Sequence, residues 1–99
     1  MRNINGKING DLCLNDNAEI HGMVTGTITV LSGVTLFLYG LCGKNLIVEK
    51  NAKTIVHGMV SGNIENRGGN LEVYGLVVGR VLEISGITLI DKNALIQNK

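Results

Sequence analysis

The chain has 99 residues and a formal net charge of +1, so it has the size of one domain and no strongly basic surface for nucleic acid. It has no proline, no tryptophan and only three aromatic residues, whereas glycine occurs 14 times. A core of stacked aromatic side chains is therefore excluded, and Ile, Val and Leu must form it. A run of about 18 apolar residues, which a membrane span requires, does not occur.

The first residues alternate apolar and polar side chains, as in a β-strand with one buried face. Ile4, Ile8 and Leu12 lie on the apolar parity, and Gly6 and Gly10 share it. The start of the chain lacks the apolar segment of a signal peptide. We therefore expect a cytoplasmic location without membrane association.

The alternation continues along the chain in a repeated unit. Each unit has a glycine, an inward aliphatic residue or cysteine, a second glycine and another aliphatic residue. The first glycine recurs at steps of 16, 18, 18 and 17 residues, at Gly6, Gly22, Gly40, Gly58 and Gly75. Repeats of this length, with about three short strands each, are typical of a chain wound into stacked coils. In the third unit the second glycine comes one residue early, at Gly43, which predicts a corner or a bulge near this residue.

These repeats predict one all-β domain over residues 1–99, a right-handed parallel β-helix (β-solenoid) without caps. We expect five to six coils of 16–18 residues that begin near residues 4, 20, 38, 56 and 73, with a partial last coil to residue 96. The right hand follows from the crossover rule for parallel strands. The first glycines are predicted to point into a narrow lumen that leaves no room for a Cβ atom.

Each coil is also predicted to contain one corner with a left-handed backbone. Asn or Gly stands eleven residues after each first glycine. These are the residues that best tolerate positive φ. These corner residues are Asn17, Gly33, Asn51, Gly69 and Gly86.

The two cysteines lie on opposite parities, Cys42 inward and Cys13 outward. Side chains on opposite faces of a strand point apart, which disfavours a disulfide between them. Both are predicted to be free thiols, as is usual in the cytoplasm.

The Gly-x-Val-x-Gly-x-Ile unit, the coil length and the aliphatic core resemble those of the bactofilins, polymer-forming bacterial cytoskeletal proteins. The resemblance covers about residues 4–96. It implies a right-handed β-helix that assembles end to end into filaments without nucleotide. Bactofilins usually carry flexible tails, sometimes with a membrane-binding segment, whereas this chain has almost none outside its repeats.

The ends of a solenoid expose unpaired backbone groups and the open end of the apolar core. Only residues 1–3 precede the first inward residue and only residues 97–99 follow the last, so no capping helix is expected. Uncapped ends favour strand addition by a second copy, so the expected partner is the chain itself, as a homo-oligomer or filament. The alternative is that frayed terminal coils and lysines protect the ends.

One outward position carries alternating His and Tyr, and the position two residues later carries Met and Leu. The eight residues are His21, Tyr39, His57 and Tyr74, which we call the ring row, and Met23, Leu41, Met59 and Leu76, the Met/Leu row. An exposed apolar stripe is typical of an interaction surface, and methionine suits an adaptable one. The rows are therefore predicted to be an interface for lateral pairing or for another protein. The alternative is that they only stabilise neighbouring coils.

The histidines are not expected to be catalytic or to bind metal. His21 and His57 lie two coils apart, about 9.6 Å at the strand spacing, which is too far to share one zinc ion. Calcium-binding solenoid repeats need a Gly-Gly-x-Gly-x-Asp motif, which the sequence lacks. We predict no catalytic, cofactor-binding or metal-binding residue and no cofactor.

The sequence thus predicts a non-enzymatic structural protein that assembles through its solenoid ends into filaments or scaffolds. The ring row and the Met/Leu row would serve lateral or partner contacts. The alternative function is a soluble binding module, such as an immunity or adaptor protein, that uses the same face.

Overall fold

Alternating Ile, Val and Leu side chains form short strands, each paired in parallel with strands one coil away. A computed structural model describes residues 1–98 of the chain. Within that range fifteen strands form one sheet of nine strands and one of six, and no helix occurs. The predicted fold class, an all-β solenoid, is confirmed, with six turns corresponding to the six strands of the second sheet.

The first three coils contain three strands each. They are β1 (Arg2–Ile4), β2 (Lys7–Ile8), β3 (Leu12–Leu14), β4 (Ala18–Ile20), β5 (Met23–Val24), β6 (Ile28–Val30), β7 (Thr35–Leu38), β8 (Leu41–Cys42) and β9 (Leu46–Val48). The later coils contain β10 (Lys53–Val56), β11 (Met59–Val60), β12 (Ile64–Val73), β13 (Leu76–Val77), β14 (Val81–Ile90) and β15 (Leu95–Ile96). Strands β12 and β14 continue around a corner, so each belongs to two coils.

The strands stack into three faces. The first face consists of β1, β4, β7, β10 and the second halves of β12 and β14. The second face is the six-stranded sheet of β2, β5, β8, β11, β13 and β15. The third face consists of β3, β6, β9 and the first halves of β12 and β14. We call the bend between the first and second faces the first corner.

The pairing register reproduces the predicted steps. Arg2 pairs with Ala18, Ala18 with Leu36, and Lys53 with both Thr35 and Asn70. Along the first face, successive partners are thus separated by the same intervals as the first glycines of the units. On the second face the last step is longer, because four residues rather than two separate β14 from β15.

A corner lies near Gly43, as one of the two predicted alternatives, because β8 ends at Cys42 and β9 begins at Leu46 in the other sheet. The other alternative, a bulge, is wrong. Cys42 pairs with Val60 before this glycine, and Leu46 pairs with Ile64 after it. The offset between partners is the same in both pairs, so the register passes Gly43 unchanged and no residue is missing from this coil. Lys44 stands in place of the second glycine of the unit, and Gly43 fills the ordinary position before it.

The core is a column of aliphatic side chains enclosed by the three faces. Most of the predicted inward residues are almost completely buried, namely Leu14, Ile20, Val24, Ile28, Val30, Leu36, Leu38, Cys42, Leu46, Val48, Val56, Val60, Ile64, Leu71, Val73 and Val77. Three others near the ends of the column, Ile8, Leu12 and Val81, are half-buried and pack against it. Burying each such aliphatic side chain stabilises the fold by about 1.5–3 kcal/mol. The predicted parity is therefore confirmed. The two cysteines are free in the described chain, with Cys13 exposed and Cys42 buried, as predicted.

The first glycine of each unit is required by the neighbouring coil rather than by the lumen. A Cβ atom at Gly40 would lie closer than 3.0 Å to the carbonyl oxygen of Gly22, one coil earlier. Gly22, Gly58 and Gly75 meet the same backbone obstacle. At Gly6, in the first coil, no described atom lies within 4 Å of that position. The prediction that a Cβ atom would not fit is confirmed for these four glycines. The predicted reason, a narrow lumen, is wrong, because the obstacle is the backbone of the neighbouring coil.

The left-handed corner is confirmed at Gly33, Asn51 and Gly86, whose φ angles are 81°, 66° and 85°. It is wrong at Asn17, where φ is not positive. The Asn17 side chain instead accepts a hydrogen bond at 2.8 Å from the backbone N–H of Thr35, one coil later.

In the fourth coil the positive φ falls on Gly68, at 135°, rather than on the predicted Gly69. The reason is the buried side chain of Asn66. Its Oδ1 accepts the N–H groups of Gly68 at 3.2 Å and Gly69 at 2.9 Å, which fixes the path of the corner.

Candidate assembly surfaces

The ring row is a continuous stack of rings along the first corner. The ring centroids of His21 and Tyr39 are 4.9 Å apart, those of Tyr39 and His57 are 5.2 Å apart, and those of His57 and Tyr74 are 5.1 Å apart. The planes differ by 13° or less. Since the rings lie one coil apart, the strand spacing of about 4.8 Å sets their separation. Such stacking contributes about 0.5–1.5 kcal/mol for each pair.

A glutamate contacts the ring at each end of the row. Nε2 of His21 lies 2.9 Å from Oε1 of Glu19, and the hydroxyl of Tyr74 donates to Oε1 of Glu72 at 2.6 Å. The hydrogen bond to Glu72 raises the pKa of Tyr74, and partial burial adds to this effect. In each pair the acid stands two residues before the ring, and residues two apart share one face of a strand. This spacing is the sequence signal for both contacts.

The ring row has apolar neighbours on the first face. The ring centroid of Phe37 lies 6.4 Å from that of Tyr39, with nearly parallel planes. Ile55, one coil later on the same outward parity as Phe37, is only 5% exposed. The outward parity alone does not predict this burial, which arises because large neighbours flank the position.

The Met/Leu row runs along the second face beside the rings. Met23 pairs with Leu41, Leu41 with Met59, and Met59 with Leu76. All four are half-buried, so neighbours within the row cover much of their surface. Leu95 continues the row after Leu76 but is 55% exposed. The eight predicted interface residues are thus adjacent, and they stack on one another.

A second apolar surface lies on the last strands of the solenoid. Six aliphatic side chains, which we call the C-terminal edge, are between 39% and 68% exposed: Leu82, Ile84, Ile87, Leu89, Ile90 and Leu95. Three of them, Leu82, Ile90 and Leu95, line a cavity of about 600 Å³ together with parts of the core. The alternation pattern does not predict this surface. The signal is the appearance of apolar residues on both parities after Val81.

The backbone of this region is also unpaired on its outer side. Strand β14 is ten residues long, and within residues 1–98 it pairs only with β12. Strand β15 likewise pairs only with β13 in the described chain. A long, apolar edge strand is a template for pairing with another chain.

The N-terminal end has different chemistry. Its edge strands β1, β2 and β3 are two or three residues long. The exposed side chains there include the outward Asn3 and Lys7 and also Arg2, which occupies the register position of the inward Ala18, while the inward Ile4 is buried. Short strands and charged side chains are devices that protect a sheet edge from association.

Within residues 1–98, no three His, Cys, Asp or Glu side chains lie close enough to hold a metal ion together. Desolvation raises the pKa of the buried Cys42 thiol, which makes the thiolate nucleophile scarce at neutral pH. Nor does any helix in that range have the length and apolarity to cross a membrane. No family model, curated protein or solved structure matches the chain.

Proposed function

We propose that this chain is a non-enzymatic structural protein that assembles with copies of itself through the ends of its solenoid. The observation that carries the proposal is the C-terminal edge, where six large aliphatic side chains and an unpaired ten-residue strand occur together. Exposed apolar patches of this kind are uncommon on proteins that stay monomeric. The resemblance to the bactofilins supports the same function and a cytoplasmic location.

Both the side chains and the backbone of the C-terminal edge favour association. Full burial of an aliphatic side chain stabilises a contact by about 1.5–3 kcal/mol. The loss of freedom on association costs about 4–15 kcal/mol, so several side chains must be buried together. Leu82, Ile87 and Leu89 lie on one strand, so a single contact with a second copy can bury all three. Strand pairing would add direction to this contact.

The ring row and the Met/Leu row are the proposed surface for lateral or partner contacts. Tyr39 supports this role because it is 44% exposed in the middle of the row. A soluble binding module that uses this face is the second candidate function. The Met/Leu row supports it less strongly, since its members already cover one another.

Sedimentation velocity of the purified chain and two variants tests the proposal. The first variant, Leu89→Glu with Leu95→Glu, places charges on the C-terminal edge. The second, Met23→Glu with Met59→Glu, places them on the Met/Leu row. All four side chains point outward, so both variants should keep the β circular-dichroism signal of the wild type.

The wild type should sediment as a species heavier than the 10.6 kDa chain, and the Leu89/Leu95 variant as a monomer. The Met23/Met59 variant should still associate through the ends. A wild type that stays monomeric as its concentration rises would contradict self-assembly. Dissociation by the Met23/Met59 variant alone would favour a lateral interface instead.

A further inference from the structure

On the basis of the proposed self-assembly, we propose that two copies join through their C-terminal edges about a two-fold axis, and that assembly stops at this pair. The two ends of the solenoid differ in the side chains that they expose. The last coil has the side chains of an interior coil, whereas the first coil has those of a terminal one.

The Met/Leu row shows what the last coil lacks. Leu76 and Leu95 are the same residue type at the same position of successive coils. Leu76 has a coil on each side and is half-buried, whereas Leu95 has a coil on one side and is 55% exposed. One more coil beyond Leu95 would place it in the environment of Leu76. A second copy can supply this coil.

The N-terminal end is a poor match for the C-terminal edge. Following the register from coil to coil, Leu89 occupies the position of Asn3, and Leu95 occupies that of Lys7. A head-to-tail stack would therefore place Leu89 beside Asn3 and Leu95 beside Lys7. Polar groups would lose water there without gaining a partner.

A two-fold arrangement matches apolar residues with apolar residues. Turning one copy over brings the 87–90 segment of β14 against the same segment of the other copy, in antiparallel orientation. Ile87 of one copy then lies near Leu89 of the other on the outer side, and Ile90 of each copy faces the core where the two solenoids meet. An isologous interface of this kind is closed by its own symmetry.

The same geometry limits the assembly to two copies. The free ends of the pair are both N-terminal, and their edge strands are short and carry Arg2, Asn3 and Lys7. Growth into a filament would require these polar edges to join. The pair is therefore expected to remain a dimer of about twice the 10.6 kDa chain mass.

Electron–electron distance measurement with a spin label on Cys13 tests the orientation. Cys13 is exposed in the first coil and Cys42 is buried, so the native fold offers one thiol to the label. Cys13 lies on the third face, which has five strands, so nine to ten strand spacings would separate the two labels in the proposed dimer. This predicts a distance of about 45 Å. A head-to-tail contact predicts about 30 Å from six spacings, and an N-terminal contact predicts a much shorter distance.

Matched variants at the two ends provide a second test. Ile87→Lys with Leu89→Lys should raise the dimer dissociation constant by at least about tenfold, because it buries unpaired charge at the joint. Asn3→Glu with Lys7→Glu should leave the constant within about twofold, since these residues lie away from the joint. Both variants should keep the β circular-dichroism signal.

The outcomes separate this inference from the function on which it rests. A monomeric wild type would contradict self-assembly and the joint together. Two results would contradict only the C-terminal joint: an associated wild type with the label distance of a head-to-tail or N-terminal contact, or dissociation by the Asn3/Lys7 variant. Growth beyond two copies would contradict the limit to a pair.

Discussion

The carbonyl oxygen of Gly22 occupies the space in which a side chain of Gly40 would begin. The two glycines hold the same position in successive units and lie one coil apart in the stack. The N–H groups of Tyr39 and Gly40 both donate to the carbonyl of Ile20, at 2.8 and 2.9 Å, which draws successive coils together at the first corner. This position therefore admits no side chain once a coil lies beneath it.

Replacing Gly40 by alanine should destabilise the solenoid by at least about 3 kcal/mol, because backbone rather than a flexible side chain must move. Urea denaturation followed by circular dichroism measures the change. The matched control is Gly6→Ala, where the first coil leaves open space. It should change the free energy of unfolding by less than about 1 kcal/mol, in the stabilising direction. Equal losses in the two variants would contradict the stacking explanation.

The buried threonine on β10 should be replaceable with a gain in stability. Thr54 is fully buried, and its hydroxyl has no hydrogen-bond partner among the described residues. Thr54→Val removes the unpaired hydroxyl with little change of shape, so the free energy of unfolding should rise by about 1–2 kcal/mol. In the control Thr88→Val, loss of the hydroxyl that accepts a 3.0 Å hydrogen bond from Asn66 should lower it. Thermal denaturation of both variants decides whether their effects have opposite signs.

Asn66 should be among the least replaceable polar residues. Its buried side chain donates to the carbonyl of Ile87 at 3.0 Å and accepts the N–H of Gly69 at 2.9 Å. Asn66→Ala leaves these groups unpaired and should lower the free energy of unfolding by about 3 kcal/mol or more. Asn63, which is exposed and accepts one bond from the N–H of Arg80, provides the control. Asn63→Ala should lower it by only about 1 kcal/mol in the same urea titration.

The buried cysteine should make the fold sensitive to alkaline pH. Desolvation raises the pKa of Cys42 above its ordinary value of 9.0. Above that value the unfolded thiol loses its proton while the folded thiol keeps it, so stability falls as pH rises through the folded-state pKa. Val24 and Val60 fill the same inward position in adjacent coils, so Cys42→Val should fit.

The measurement is the difference in free energy of unfolding between Cys42→Val and the wild type at about pH 7 and about pH 10. The stability of the variant relative to the wild type should be greater at the higher pH than at the lower one. A difference that does not change with pH would show that the Cys42 thiol does not contribute to alkaline destabilisation.

Strict pairing between coils explains why so much of the fold is readable from the sequence. Each position meets its equivalent one coil away, so similar side chains recur at that interval, as in the outward rings of His21, Tyr39, His57 and Tyr74. The pattern of glycines gives the step in the same way. Parity, step and the positions of both outward rows follow directly from this repetition.

The details that the sequence does not predict depend on side chains outside the repeat. Gly68 and Gly69 can both adopt positive φ, and the choice is made by the side chain of Asn66, which no other coil reproduces. The sequence fails to predict the exposed C-terminal edge for a different reason. Apolar residues on both parities of 81–90 do not distinguish an interior strand from an exposed one.

The ring row has a consequence for the length of the molecule. The segments His21–Gly–Met–Val and His57–Gly–Met–Val begin two coils apart, and each strand between them pairs only with adjacent coils within residues 1–98. Residues 21–56 therefore meet equivalent neighbours at both of their ends. Tandem duplication of that segment would extend the rod by about 9.6 Å and keep the His–Tyr alternation. Evolution or design can thus adjust the reach of this architecture by copying DNA, without inventing a new packing solution.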